Sequence, residues 1–549
     1  MNAMAKSMAE FVGGKSTHTI REPKKMNFME AVSETLNELP YNVSVTENGA
    51  VGYKSTGKKL VDLNFATSSL RSKSENEINA MFLEAYNENP LYAWKWLFFC
   101  RDIRGGMGER RTFRTILKQM AVSHAQETAV LLPYIAEYGR YDDMWCLLET
   151  PLKKLVIQLI SAQLETDMAA YKEDKPMSLL AKWLPSRRAS SKQTKEYAKI
   201  IIEEMGIDRI LYQKTLSMLR SKLNLVETYM SSNQWSAIDY NTVPSKANLK
   251  YNSAFLRHDE ERRRKFLDAL RNNEKGVKIN AGTLYPHDIV HKYMKSSLWI
   301  QPYDETLEQL WKAQKDTVNG AENVMVVADG SGSMTTQVGN SGTTALDVAN
   351  ALAIYFAERA SGQFANQYIT FSETPQLVRF DGVKSLHDKL VIALRHDECA
   401  NTNIEAVFNL ILKTALAKKM RQEDLPGTIL IISDMEFDIA TGHGWGFHNS
   451  RMRTPNKTLF QEIDQKFKKH NYKMPRLVFW NVNSRTGTIP VKENEAGVAL
   501  VSGFSPNIMQ MVLSDELDPY KCLLAQLNTE RYQVIEDALN TLKEESNGN

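Results

Sequence analysis

The residues best placed to do chemistry lie in "VVADGSGSMTT", residues 326–336. Asp329, Ser331 and Ser333 stand at i, i+2 and i+4, directly after an apolar run. A carboxylate and two hydroxyls are hard oxygen donors, and Gly330 and Gly332 let the backbone turn tightly around a bound ion. Two more positions extend the set. Thr402 lies in the loop "CANTNIEA", and Asp434 follows the apolar run "GTILIIS". Two carboxylates and three hydroxyls suit Mg²⁺, or another hard divalent cation such as Mn²⁺ or Ca²⁺. The plainer alternative is that Asp329 and Ser331 only cap the next helix. An apolar run before each aspartate, with Thr402 and Asp434 at fitting places, favours the ion. Glu436 and Asp438 in "SDMEFD" either add charge behind these donors or are ordinary loop carboxylates. No general acid and base pair and no activated nucleophile accompanies the set, so a binding site is expected rather than an enzyme or a small-molecule substrate pocket. A nuclease would want more carboxylates and often a second metal.

The elements around these residues follow from hydrophobic pattern. "NVMVVA", "GTILIIS" and "RLVFWNV" are continuous apolar runs, as in strands buried on both faces, and "QYITFS" reads as a further strand. Between them, Ala349, Leu352, Ala353, Phe356 and Ala357 form a helical stripe, and "NIEAVFNLILKTALAKKM" and "LFQEIDQKFKKH" read as helices. Such alternation predicts a doubly wound, Rossmann-like parallel sheet over 320–549, with Asp329 and Asp434 at its carboxyl edge, where ligands bind in such sheets. Residues 27–315 read instead as helix after helix, in "FMEAVSETLNEL", "RTFRTILKQMAV" and "ILYQKTLSMLRSKLNLVETYM" among others. That predicts a HEAT-like array of stacked helices with degenerate repeats. The fold class is therefore α + α/β. Residues 1–26 read as a flexible polar arm. Its "GGKST" is no P-loop, because Ala9 stands where the pattern needs its first glycine and no strand leads in.

Composition narrows the class. The chain has 549 residues, 43% hydrophobic and 24% charged, with a net charge of only +3. Its four cysteines are far apart, with no CxxC pair, which fits a reducing, cytoplasmic setting and argues against a zinc or redox site. No apolar run is long enough to span a membrane. Charge is uneven, however: residues 181–280 hold 20 Lys and Arg against 11 Asp and Glu. This is either a solvated face or a surface for an anionic partner.

The Asp329-to-Ser333 run resembles the metal-ion-dependent adhesion site of von Willebrand factor A domains. The resemblance implies direct metal binding by Ser331, Ser333, Thr402 and Asp434, with Asp329 binding directly or through water. It also implies an open coordination position for an acidic residue of a partner protein. The second loop of that family is usually Gly-Gly-Thr, where this chain has Ala400-Asn401-Thr402. Further upstream, "RDIRGGMGERRTFR" (101–114) and "LLPYIAEYGRYDDMW" (131–145) resemble the TROVE module of Ro proteins, with Tyr141 in place of the usual tryptophan. "LLAKWLPSRRAS", "IDYNTVPSKA", "FLRHDEERRRKF" and "INAGTLYPHDIV" resemble a Ro-like family of plants, bacteria and viruses that joins this helical module to a C-terminal von Willebrand factor A domain. The likeness spans roughly residues 27–520. It implies binding of structured or misfolded noncoding RNA by a helical ring that the A domain closes.

Three basic groups could meet phosphate: Arg101, Arg104, Arg110 and Arg111 around a glycine turn; Lys182, Arg187, Arg188 and Lys192; and Arg262, Arg263, Arg264 and Lys265 along a helix. Trp183 or Tyr212 could stack a base. Each has a structural alternative. The first arginines could pair with Asp102 and Glu109 to fix a turn, the third group could be a mixed-charge exposed face, and Trp183 could be core. Asp142 and Asp143 read as helix caps. His443 and His448 lie in a glycine-rich loop that argues against a metal role.

Overall fold

The computed structural model describes residues 43–45, 51–296, 299–339, 342–396, 404–436, 463–487, 489, 498–513, 516 and 518–547. The chain divides into compact units Met1–Val43 and Ser44–Asn549, and the helices and the six-stranded sheet belong to the second. The arm expected over 1–26, and Thr402, Asp438, His443 and His448, lie outside the described residues.

The helical series opens with α1 (Lys59–Ala66). The next helix, Glu75–Glu88, starts on a capping box in which the Ser74 hydroxyl accepts from the Glu77 amide and the Glu77 carboxylate accepts from the Ser74 amide at 2.9 Å. Asn89 then caps α2 (Pro90–Arg101), whose first residue is a proline that has no amide to leave unpaired. α2 is apolar nearly all round, and every residue from Ala93 to Arg101 is buried; a helix with this pattern has to sit inside the structure. The series continues through Arg110–Ser123, Lys153–Lys172, Lys192–Met205, Arg209–Lys222, Ser245–His258 and Glu260–Arg271 to α3 (Pro286–Tyr293) and Glu305–Lys312. No helix among the described residues is long and apolar enough to cross a membrane.

The six-stranded sheet comprises β1 (Val324–Ala328), β2 (Gln367–Thr370), β3 (Leu377–Arg379), β4 (Thr428–Ser433), β5 (Arg476–Asn481) and β6 (Val498–Ser502), in the order β6-β5-β4-β1-β2-β3. All neighbours are parallel except β2 and β3. Strands β1, β2, β4 and β5 are those expected from the apolar runs. The antiparallel edge β3 and the sixth strand β6 are additions. Alternate residues serve two cores, since side chains of a strand alternate between faces. Val324, Val326, Leu430, Ile432, Val478 and Trp480 share one core with α4 (Ala345–Arg359). Met325, Val327, Ile429, Ile431, Leu477 and Phe479 share the other with helix Ile404–Lys418. Helices thus cover both faces, as the doubly wound expectation requires.

Both ends of the helical series rest on the sheet-bearing part. At one end α1 packs on β6. There the Phe65 carbonyl accepts from Asn481 Nδ2 at 2.8 Å, and the Ser68 amide donates to Ser502 Oγ at 3.1 Å. This covers a sheet edge that would otherwise present unpaired strand groups. At the other end α3 packs on α4, and His291 Nδ1 lies 2.8 Å from Asp347 Oδ2. The two ends also meet. Gly108 has φ +73°, and a Cβ there would sit 1.9 Å from the Tyr285 hydroxyl, so only glycine fits.

The last helix, α5 (Gln533–Asn547), returns to α2. Lys95, fully buried, places Nζ 2.6 Å from Glu536 Oε2. Asp102, also fully buried, accepts from Arg531 Nη2 at 2.7 Å and from the Tyr532 hydroxyl at 3.0 Å. Removing one member of a buried ion pair leaves the other charge uncompensated. Asp102→Ala is therefore expected to cost about 3 kcal/mol in urea unfolding, whereas alanine at exposed Lys175 should change stability by under about 0.5 kcal/mol.

Candidate metal-binding site

Register decides where the two aspartates emerge. Ala328 pairs with Ile432, so β1 and β4 end side by side. β1 has β2 on one flank and β4 on the other. The chain thus changes direction across the sheet at this pair, which is where open parallel sheets form their ligand crevice. The Asp329 amide donates to the Ile432 carbonyl at 3.0 Å, and the Ser433 hydroxyl donates to Asp329 Oδ2 at 2.6 Å. Asp329 Oδ1 accepts from the Ser331 amide at 2.9 Å, which folds the glycine-spaced loop back onto the strand end. The short helix Gly332–Thr335 then brings Ser333 Oγ to 2.9 Å from Ser331 Oγ.

Asp329 and Asp434 are 2% and 1% exposed. Asp434 Oδ1 accepts from the Glu436 amide at 3.2 Å, but Oδ2 is buried with no hydrogen bond. The nearest cation is Arg485, whose Nη2 lies 3.5 Å from that oxygen. Burial, and after it the charge of Asp329, push the Asp434 carboxyl up to about 7; the Glu436 amide, the Ser333 hydroxyl and Arg485 act in the opposite direction. Two buried carboxylates with one bare oxygen, beside two half-buried hydroxyls, make a donor set that fits a hard divalent cation. Among the described residues no group of three or more His, Cys, Asp or Glu is placed to hold a metal, here or elsewhere, so any ion at this site would depend on the hydroxyls.

Four of the five expected donors, Asp329, Ser331, Ser333 and Asp434, thus come together, and Thr402 lies outside the described residues. Three contributors were not singled out from sequence: Ser433, which holds Asp329; Thr336, at the end of the serine loop; and Arg485. Ser433 and Arg485 reach their partners only through the pairing of distant segments, whereas Thr336 sits in the serine loop itself. Glu436 is neither a free loop carboxylate nor a donor. It is 1% exposed and accepts from the backbone amides of Arg485 at 2.8 Å and Thr486 at 3.0 Å.

The basic groups fare differently. Arg101 is buried and pairs with Asp143 at 2.7 Å, so it cannot face phosphate. Asp143, expected as a cap, also binds Arg114 at 2.7 Å and accepts from the Arg140 amide at 3.0 Å. Arg104 and Arg111 are exposed but hold backbone carbonyls, of Glu137 at 2.7 Å and of Lys73 at 2.8 Å. Glu109 takes Arg71, not a neighbouring arginine, and Asp102 takes Arg531. Arg263 is fully buried, packed against Tyr240, Phe255 and Phe266, with Asn248 Oδ1 at 3.1 Å; it too is removed from any surface. Arg262 holds the Ile238 carbonyl at 2.8 Å, while Arg264 and Lys265 form i, i+4 pairs with Glu260 and Glu261. Arg110, Arg187, Arg188 and Lys192 are exposed and Lys182 is half-buried. Tyr212 is buried and donates to the Pro185 carbonyl at 2.9 Å, so it is no stacking platform, whereas half-buried Trp183 already carries the Arg140 guanidinium 4.0 Å from its ring centre.

Comparison with known proteins gives matches over most of the chain. A family model described as a domain of unknown function, DUF2828, matches residues 46–139 and 151–328, and another so described, DUF7788, matches 323–544. The two meet where the helices give way to β1. Uncharacterized protein L728 of Acanthamoeba polyphaga mimivirus is 28% identical over 521 residues, covering 88% of this chain and 87% of the viral protein. The crystal structure of the Ro (RSR) protein of Deinococcus radiodurans is similar over 81% of this chain and 92% of that chain, at 12% identity and a TM-score of 0.38.

Asp434→Asn removes one of the two crowded charges. With a chelator present it is expected to raise stability by about 1 kcal/mol and to abolish the rise in melting temperature that Mg²⁺ gives the unaltered protein, both read by thermal unfolding.

Proposed function

We propose that this protein is a non-catalytic scaffold whose sheet-bearing half carries a metal-ion-dependent adhesion site of the von Willebrand factor A kind. The observation behind this reading is the buried Asp329–Asp434 pair at the point where the sheet changes direction, with Asp434 Oδ2 lacking a hydrogen bond. A divalent cation held there would neutralise the pair and offer a coordination position to an acidic side chain of a partner protein. Asp434, Ser331 and Ser333 would hold it. Asp329, whose oxygens already accept from Ser433 and the Ser331 amide, keeps its charge behind them. Thr402, outside the described residues, is the remaining expected donor. Cys100 and Cys146 are free thiols, which fits a reducing, cytoplasmic setting.

The test is Mn²⁺ titration followed by electron paramagnetic resonance. One ion per chain is expected, with affinity at least tenfold lower in Ser331→Ala. A folded chain that takes up no Mn²⁺ or Mg²⁺ at millimolar concentration would refute the reading.

A second reading, binding of noncoding RNA by the helical half, is favoured by Arg187, Arg188 and Lys192. They are exposed close together between Pro185 and helix Lys192–Met205, and they have no ion pair among the described residues. RNA binding across a salt series tests it. The expectation is affinity that falls steeply with salt, weakens several-fold in Arg187→Glu/Arg188→Glu and is unchanged in Ser331→Ala. No binding at low salt rejects it.

A further inference from the structure

Arg485 stands out as the one described cation against the carboxylate pair, on a loop that sequence motifs did not single out. Its backbone is fixed. The buried Glu436 carboxylate accepts from the Arg485 amide at 2.8 Å and from the Thr486 amide at 3.0 Å. A few residues on, Ile489 exchanges both backbone hydrogen bonds with Tyr53, each at 2.8 Å. Glu436 therefore holds the loop through its backbone. The side chain, 27% exposed, reaches inward instead: Nη2 lies 3.5 Å from Asp434 Oδ2, and Nη1 lies 3.3 Å from Thr336 Oγ1. Thr336 closes the turn that carries Ser331 and Ser333. Arg485 thus spans both segments of the donor set while making no hydrogen bond to the oxygen it neutralises.

We infer that Arg485 is a built-in counter-cation that competes with the divalent ion for Asp434 Oδ2 and so sets the affinity of the site; the inference rests on the proposed metal site. A guanidinium keeps its charge at every relevant pH. With Arg485 in place, a divalent ion on Asp434 would sit within a few ångströms of that charge, with little water to screen the repulsion. A 3.5 Å contact without a directional bond is the kind that can give way. The partly exposed side chain can swing toward solvent while its backbone stays on Glu436. The site then binds a divalent ion more weakly than its carboxylates alone would allow. A partner's carboxylate, meeting a displaced guanidinium beside the ion, adds to the pull for the loaded state.

Arg485→Gln and Arg485→Met each remove the charge, and Arg485→Lys keeps it. Mn²⁺ affinity is measured by paramagnetic resonance and Mg²⁺ affinity by calorimetry, with circular dichroism confirming the fold of each variant. Both neutral variants are expected to bind at least tenfold more tightly than the unaltered protein, with Arg485→Lys within about threefold of it. In chelator the neutral variants should also melt at lower temperature, and added Mg²⁺ should restore more than this loss. If the unaltered protein binds and the neutral variants bind equally or more weakly, the inference falls and the metal site stands. If no folded form binds either ion, the metal site falls and the inference with it.

Discussion

Setting Ala328 opposite Ile432 commits the protein to a problem of charge. The two strands end level, and the residue after β1 and the residue after β4 are both aspartates. Their carboxylates are drawn into a crevice that water hardly reaches, where like charges repel strongly. Much of the surrounding structure answers that constraint. The Ser433 hydroxyl and the Ser331 amide take the oxygens of Asp329. The Glu436 amide takes one oxygen of Asp434, and Arg485 stands off the other. The bond from the Ser331 amide to Asp329 doubles the chain back closely enough to bring in two more hydroxyls. This concentration of negative charge, with one oxygen left bare, is the chemical ground for the proposed cation site.

The helical half handles charge in a different way. Its arginines and acids are used as internal joints: Arg101 and Arg114 on Asp143, Arg71 on Glu109, Lys95 on Glu536. Charges withdrawn from water persist only when paired and hydrogen-bonded. Arg263 is the exception in kind, since aromatic faces and two asparagine carbonyls replace a carboxylate. Most lysines and arginines of residues 181–280 nevertheless stay exposed, and several of them, such as Arg264 and Lys265, are paired with neighbouring acids.

How much of this could be read from sequence depended on how local the signal was. A buried parallel strand must be apolar on both faces, so β1, β4 and β5 were legible as unbroken runs, and the aspartates at the ends of β1 and β4 came with them. The three-residue edge β3 has only one covered residue, Val378, and too short a pattern to see. The Asp-x-Ser-x-Ser loop was legible because its donors are adjacent in the chain. Arg485 was not, because its partner lies about fifty residues earlier and only strand pairing joins them. The run Arg262 to Lys265 misled for the opposite reason: neighbours in sequence point to different sides of a helix, so Arg263 turns inward while the other three turn outward. Arg101 gave the same false signal at the end of a wholly buried helix.

The return of α5 to α2 has a consequence for how the chain is made. Asp102 and Lys95 leave the ribosome early, yet the groups that complete them, Arg531, Tyr532 and Glu536, are more than 400 residues later in the sequence. Until that distant segment is made, α2 presents a largely apolar surface, with Lys95 on it and Asp102 at its end lacking these partners. Hydration of those charges opposes premature burial of the helix, while the exposed apolar face invites chaperones. The final pairing of α2 thus depends on a segment more than 400 residues away in the chain.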